Sequence, residues 1–115
     1  MLRRIAVFIL FFSVFLLSGC DGPGVRAYHR GNHAYEYGNY KKAFVYYLYA
    51  ANEGVVPAQY ALGYQYFYGQ GTKQDASEGV KWFIRAAPFS LRARYALYLI
   101  HKNTSQQPWT FQITQ

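Results

Sequence analysis

Apolar residues recur at intervals of three and four in two neighbouring segments of the chain, on either side of a turn that contains Gly69 and Gly71. This spacing is typical of helices with one apolar face. Pro57 suits the first turn of one helix, and Pro88 ends the other. Because neither helix can bury its apolar face alone, we expect the two to pair. The faces comprise Ala58, Ala61, Leu62, Tyr66 and Phe67 in the first segment, and Val80, Trp82, Phe83, Ala86 and Ala87 in the second.

Three other segments show the same periodicity and predict three further helices. Asp75 and Glu78 have the spacing of a capping box at the start of the fourth helix of the series, and Gly54 is a natural stop after the second. The whole pattern predicts an all-α fold: a short right-handed solenoid of helical hairpins, with about two and a half repeats. The three additional segments run from Val25 to Tyr37, from Tyr40 to Glu53 and from Leu91 to His101.

The chain contains an internal repeat whose period is typical of solenoids built from helix pairs. The pairs Ala50-Ala51 and Ala86-Ala87 lie 36 residues apart, and Tyr60-Ala61-Leu62 lies 35 residues before Tyr95-Ala96-Leu97. Small residues at such positions let neighbouring helices approach closely. The pattern resembles that of Sel-one-like repeats, which are relatives of the tetratricopeptide repeat. The matching positions are Ala58, Leu62, Gly63, Tyr66, Gly69, Gly71, Asp75, Trp82, Ala86 and Ala87.

The first unit departs from that family pattern. Its turn, Gly38-Asn39-Tyr40, lacks the longer Gly-x-Gly loop, so the unit is closer to a plain tetratricopeptide repeat. Gly79 stands where the family usually has Ala, and Ser90 where it usually has Gly. The resemblance covers residues 27–102 and implies a repeat domain that binds a protein or peptide partner.

The N-terminal segment is typical of an export signal. Arg3 and Arg4 precede an apolar run from Ile5 to Leu17, which is too short to span a bilayer as a helix of ~20 residues. Leu17-Ser18-Gly19-Cys20 follows and resembles the lipobox of bacterial lipoproteins. The resemblance implies cleavage before Cys20, a diacylglyceryl group on its thiol and an acyl chain such as palmitate on its amine. The alternative is an ordinary secretory peptide with a Cys at the cleavage site.

These features divide the chain into four parts: a signal peptide at residues 1–19, an acylated flexible tether at 20–26, the repeat domain at 27–102 and a tail at 103–115. Asp21 follows Cys20, and in lipoproteins of enteric-type bacteria Asp at that place resembles the signal for retention at the inner membrane. Trp109, Phe111 and Ile113 alternate with polar residues, which predicts a loosely ordered tail or a short strand.

The net charge of +7 favours contact with anionic lipid headgroups or with an acidic partner surface. The basic residues are spread along the chain, with no run longer than Lys41-Lys42. We therefore expect no binding to nucleic acid. Aromatic residues make up 21% of the chain, including 13 Tyr, and supply large buried areas to a small core.

Catalytic and metal chemistry has little support in the sequence. The five carboxylates form no acid/base pair, and the lone cysteine is assigned to the anchor. His29 and His33 share a helix face, but only Glu36 is nearby as a third ligand, so we interpret both as surface residues. The Gly69-Gln70-Gly71 turn lacks the strand and the Lys-Ser or Lys-Thr pair of a phosphate loop. We expect no enzymatic activity and no cofactor.

Seven tyrosines between Tyr46 and Tyr68 are too many to lie wholly inside so small a domain. One interpretation is that most pack between helices with their hydroxyls reaching solvent. The other is a tyrosine-lined groove for an extended peptide, with Tyr64 and Tyr68 one turn apart and Gln65 and Arg92 as polar companions.

These patterns predict a membrane-anchored, non-enzymatic adaptor that faces the periplasm and binds a protein or peptide partner in the bacterial cell envelope. The alternative is a regulatory accessory subunit of an envelope enzyme that acts on peptidoglycan or polysaccharide, or of a secretion system. The sequence leaves the partner, the choice of membrane and the oligomeric state open.

Overall fold

A computed structural model describes residues 21–102, and these form five α-helices without a strand. The expected all-α fold is therefore confirmed for this part of the chain. The predictions for the signal peptide, the lipobox Leu17, Ser18, Gly19 and Cys20, and the tail lie outside the described residues. The helices are α1 (Pro23–Glu36), α2 (Tyr40–Asn52), α3 (Val56–Tyr68), α4 (Ala76–Ala86) and α5 (Leu91–His101).

Each helix packs mainly against its neighbours in the sequence. The contacts are most extensive within two hairpins, α1 with α2 and α3 with α4, and they continue from α2 to α3 and from α4 to α5. Among residues 21–102, α5 has no following helix to complete a third hairpin. This arrangement is the predicted solenoid of two and a half hairpins, whose right-handed sense stays a prediction.

The predicted flexible tether is wrong for residues 23–26, because these belong to α1. Pro23 occupies the first turn, where its fixed φ suits a helix and its missing N–H leaves no bond unmade. Gly24 is buried, and a Cβ there would lie 2.7 Å from Cβ of Glu53. The first turn of α1 is therefore held against the end of α2.

Side-chain caps fix the starts of three helices. Oδ1 of Asp75 accepts a hydrogen bond from the backbone N–H of Glu78 at 3.0 Å, which confirms the Asp75 half of the predicted capping box, while the N–H of Asp75 donates to the Tyr66 carbonyl oxygen instead of to Glu78. The Glu78 side chain pairs with Lys81 at 2.9 Å. Asn39 caps α2 in the same way, and Ser90 caps α5, so the departure from the family pattern at Ser90 supplies the start of the last helix.

The core consists of two clusters joined through α3 and α4. Fully buried alanines such as Ala43, Ala50 and Ala58 allow the helices to pack closely around a few large side chains. Trp82 of α4 packs into the cluster formed mainly by α1, α2 and α3, which contains residues of both hairpins. Tyr46 packs against the same cluster but is only partly buried.

Candidate functional site

The repeat residues of α3 and α4 bring these two helices into close contact. An added Cβ at Gly63 would lie 2.9 Å from the Phe83 ring, and one at Gly79 would lie 2.8 Å from the carbonyl oxygen of Gly63. Leu62 and Ala86 are fully buried beside this contact, and Ala87 caps the end of α4. These residues shape the scaffold and do not form an exposed binding surface.

The connection between α3 and α4, residues 69–75, packs against the first hairpin. Gln70 Oε1 accepts a hydrogen bond of 2.7 Å from the Tyr35 hydroxyl, and Gly71 lies against the backbone of Tyr40. The backbone N–H of Asp75 donates to the carbonyl oxygen of Tyr66 at 2.8 Å. Tyr66 also contacts the ring of Phe44 edge-on, with centroids 5.1 Å apart. The loop residues of the repeat motif therefore hold successive hairpins together.

Of the four residues expected to line a peptide groove, two lie in the interior. Gln65 is fully buried, and its Nε2 donates to the Tyr40 carbonyl oxygen at 3.1 Å, so the expectation of an open polar companion is wrong. The reason is that α3 lies between α2 and α4, which leaves Gln65 facing a helix. Tyr64 is only 4% exposed and lies 4.8 Å from the ring of Tyr68, which is half-buried. Arg92 is exposed on α5.

Burial raises the pKa of the Tyr64 hydroxyl, and nearby tyrosines add to the shift. Burial also raises the pKa of Tyr68. Both hydroxyls are therefore neutral near pH 7 and are suited to hydrogen bonding rather than to charge. A role for Tyr64, Tyr68 and Arg92 in holding a partner stays a prediction.

A solvent-open cavity of about 430 Å³, most of whose lining residues are exposed, lies at the tip of the first hairpin, and this site was not predicted. Its walls come from the last two turns of α1, the turn at residues 37–39 and the first two turns of α2. The volume is in the range of small-ligand sites. The lining residues are Arg30, His33, Ala34, Tyr37, Asn39, Lys42 and Tyr46.

We call this site the basic cavity, because the charged side chains that line it are all basic. Arg30, His33 and Lys42 line it, and no carboxylate of the described chain does. Neither Arg30 nor Lys42 makes an ion pair with any carboxylate in residues 21–102. The His33 ring packs on that of Tyr37 with centroids 4.7 Å apart, and the cap bond from Lys42 N–H to Asn39 fixes the rim at the start of α2. The cavity can therefore hold an anionic group between two helices.

Little in the sequence indicates this site, because its cations lie on different helices. His33 is exposed, as predicted. Its convergence with Lys42 depends on the short turn at residues 37–39, which places the end of α1 beside the start of α2. The feature of the sequence that bears on this site is the missing Gly-x-Gly loop in the first unit, which shortens the turn between α1 and α2.

A second exposed surface lies at the end of the solenoid. Phe89 is 83% exposed and Leu91 is 76% exposed, and Tyr95 and Tyr98 on α5 are each more than half exposed. Ring centroids of Tyr95 and Tyr98 are 6.4 Å apart in a stacked arrangement. This terminal aromatic surface offers apolar contact area to a macromolecule rather than an enclosed site.

The described residues contain no group of three or more His, Cys, Asp or Glu side chains placed to hold a metal ion. Within the same residues, no helix combines the length and the hydropathy that crossing a membrane requires. Two of the described carboxylates have structural roles, as a helix cap at Asp75 and in an ion pair at Glu78.

A family model described as Sel1 repeat matches the chain in two consecutive stretches, residues 22–55 and 56–87. The boundary between the stretches falls at the start of α3, so each match takes in one hairpin. The first hairpin is thus a Sel1 repeat too, which corrects the expectation of a plain tetratricopeptide unit starting at residue 27. Neither a curated protein nor a solved structure matches the chain significantly. Because the two stretches cover more than half of its length, the chain belongs to the Sel1 repeat family, whose repeats generally mediate protein–protein interactions.

Proposed function

We propose that this protein is a membrane-anchored adaptor that binds a protein partner in the bacterial cell envelope. The observation that carries the proposal is the pair of consecutive Sel1 repeats, because such repeats are scaffolds for protein interaction and are not typically enzymatic. The repeats supply contact surface, and a lipid on Cys20 supplies location. Asp21 slightly favours the inner membrane, with the domain facing the periplasm.

Two exposed surfaces of the described domain support a binding role. The basic cavity offers positive charge at the tip of the first hairpin. The terminal aromatic surface offers apolar area at the other end, with Phe89 and Leu91 more than three-quarters exposed. A partner would be recognised at the first surface by its negative charge and at the second by its apolar side chains.

The lipid anchor is supported by the lipobox residues Leu17, Ser18, Gly19 and Cys20. Several acyl chains, at ~0.8 kcal/mol per buried methylene, hold a protein on a membrane effectively permanently. The anchor is tested by replacing Cys20 with Ala and separating membranes from soluble protein in high salt. Release of the variant supports lipidation, and retention of the variant with the membranes contradicts it.

The adaptor function is tested by crosslinking in cells that express the full chain. A photoreactive amino acid replaces Tyr37 beside the basic cavity or Tyr95 on the terminal surface, both of which are more than half exposed. The same amino acid at exposed Lys73, on the loop between α3 and α4, is the matched control. A single protein captured from Tyr37 or Tyr95, and not from Lys73, is the expected result.

Identification of that neighbour also distinguishes the adaptor from the accessory subunit. An envelope enzyme or a component of a secretion system as the captured protein would favour the regulatory alternative. Capture of no protein at any of the three positions would contradict the proposed function.

A further inference from the structure

The cations of the basic cavity make no ion pair within the described fold. Arg30 and Lys42 supply cationic N–H donors, and His33 adds a third nitrogen donor. The one ion pair found within residues 21–102 joins Lys81 to Glu78, on α4 and away from the cavity lining. An anion entering the cavity would therefore meet charge-assisted donors without displacing an internal carboxylate.

The remaining walls suit a peptide. Tyr37, which is 77% exposed, and Tyr46, which is half-buried, both line the cavity, so two aromatic rings accompany the cations. Tyrosines offer rigid apolar area with a hydroxyl at the edge, which is the usual composition of surfaces that recognise proteins. The volume of about 430 Å³ is sufficient for the acidic side chains of a peptide.

We propose that the basic cavity binds acidic side chains, those of Asp or Glu, on an extended segment of the protein partner. The inference rests on the proposed function, which it deepens by naming the chemistry of the partner. The two tyrosines beside the cations favour a peptide over the headgroups of a bilayer. Arg26 and Lys41 are also exposed but do not line the cavity, and the Arg26 guanidinium donates to the carbonyl oxygen of Asp21 at 2.8 Å.

The neighbouring cations provide a charge-matched control. Arg26 lies one turn before Arg30 on α1, and Lys41 directly precedes Lys42 on α2; all four are exposed. The double variants Arg30→Gln/Lys42→Gln and Arg26→Gln/Lys41→Gln therefore lose the same charge from the same helices, and only the first pair loses it from the cavity. Equal thermal melts of the two variants check that both are folded.

The probe is a capped, fluorescently labelled tetraglutamate peptide, titrated against the full-length protein in a non-ionic detergent and followed by anisotropy. Tetraglutamine is the neutral control. We expect Arg30→Gln/Lys42→Gln to weaken tetraglutamate binding about tenfold or more, since two charge-assisted bonds are lost. The Arg26→Gln/Lys41→Gln variant is expected to change the affinity for tetraglutamate less than about threefold, because these two cations act on the peptide only at long range, where salt screens their charge. Tyr37→Ala, which removes an exposed wall, is expected to weaken binding without changing the charge.

Equal affinities of the two double variants would overturn the proposal, as would equal binding of tetraglutamine. Vesicles of mixed neutral and anionic phospholipid are the third arm. If Arg30→Gln/Lys42→Gln weakens vesicle binding while the wild-type protein does not bind tetraglutamate, the cavity is a lipid site and the proposal fails.

The crosslinking experiment separates this inference from the function on which it rests. If Arg30→Gln/Lys42→Gln still captures the same partner in cells with equal yield, the cavity proposal fails and the adaptor function stands. If no partner is captured but the wild-type protein binds tetraglutamate through Arg30 and Lys42, the adaptor function fails and the preference of the cavity for acidic peptides stands.

Discussion

The hydroxyl of Tyr35 donates a hydrogen bond of 2.7 Å to Oε1 of Gln70, a residue 35 positions later in the chain. This contact joins the last turn of α1 to the connection between α3 and α4. Gln70 therefore stabilises the contact between the two repeats rather than holding a ligand. Because Gly71 packs on the backbone of Tyr40 directly beside it, the connection is fixed at two adjacent residues.

The Gly71→Ala substitution is expected to destabilise the domain by about 3 kcal/mol or more. Gly71 has a φ of +70°, which costs an L-residue about 1–2 kcal/mol, and an added Cβ would also overlap the Tyr40 carbonyl. Gly38 is the matched control, because its φ is +75° but nothing lies within 4 Å of an added Cβ. Urea unfolding should show a loss of only about 1–2 kcal/mol for Gly38→Ala. Equal losses in the two variants would show that the contact with Tyr40 is unimportant.

The Trp82→Ala substitution is expected to destabilise the domain by about 3–5 kcal/mol, because it removes a large buried side chain between the two hairpins. Trp82 is only 8% exposed, and the guanidinium of Arg85 lies 4.6 Å from the centre of its ring. Ile84 on the same helix is 58% exposed, so Ile84→Ala serves as a control with an expected loss below about 1 kcal/mol. A thermal melt of Trp82→Ala that matches the parent would contradict the assigned repeat register.

The helices and their order could be predicted from the sequence because apolar spacing and turn residues act locally. The spacing predicted α5 to the residue, and the fixed φ of Pro57 placed the start of α3 within one residue. The start of α1 was predicted two residues too late, at Val25, because Gly22, Pro23 and Gly24 look like a flexible tether in the sequence; in the fold Gly24 packs against Glu53 at the end of α2. The burial of Gln65 likewise depends on α2 and α4 packing on either side of α3.

The basic cavity could be predicted even less well, because its basic residues lie on both sides of the turn between α1 and α2. Arg30 and Lys42 look like ordinary surface cations in the sequence, and their proximity requires the geometry of the first hairpin. The same limit applies to Tyr47, which apolar periodicity assigns to a buried stripe without indicating a partner for its hydroxyl.

The Tyr47→Phe substitution is expected to destabilise the domain by about 1–3 kcal/mol, through loss of a buried hydrogen bond. The Tyr47 hydroxyl donates to Oδ1 of Asn32 at 2.8 Å, and both side chains are buried. Within the described residues, Nδ2 of Asn32 has no hydrogen-bond partner, so Tyr47→Phe leaves the whole amide unsatisfied. The stability is measured by urea unfolding monitored by circular dichroism.

A second variant makes this prediction sharper. Tyr47→Phe/Asn32→Leu replaces both partners by apolar groups of similar size, and such exchanges are close to neutral. We therefore expect the double variant to recover at least half of the stability that Tyr47→Phe loses, which is a clear departure from additivity. A double variant that is less stable than Tyr47→Phe would show that the hydrogen bond is not the source of the loss.

The stability of the domain is expected to fall as the pH rises above 10. Burial raises the pKa of Tyr35 to about 12, and it also raises the pKa of Tyr47. Tyrosines in the unfolded chain ionise near pH 10. Between pH 10 and 12 the unfolded state therefore binds fewer protons than the folded state, so each further rise in pH favours unfolding. Below pH 10 these hydroxyls are neutral in both states and contribute no pH dependence.

The measurement is the urea midpoint at pH 9, 10 and 11, for the parent and for Tyr35→Phe. Other groups titrate in this range, so the informative quantity is the difference between the two proteins. Because Phe cannot ionise, the parent should lose more stability between pH 9 and 11, by at most about 1 kcal/mol. Identical pH dependence in both proteins would show that Tyr35 ionises equally easily in the folded and unfolded chains, and that its burial between the first hairpin and Gln70 is not maintained in solution.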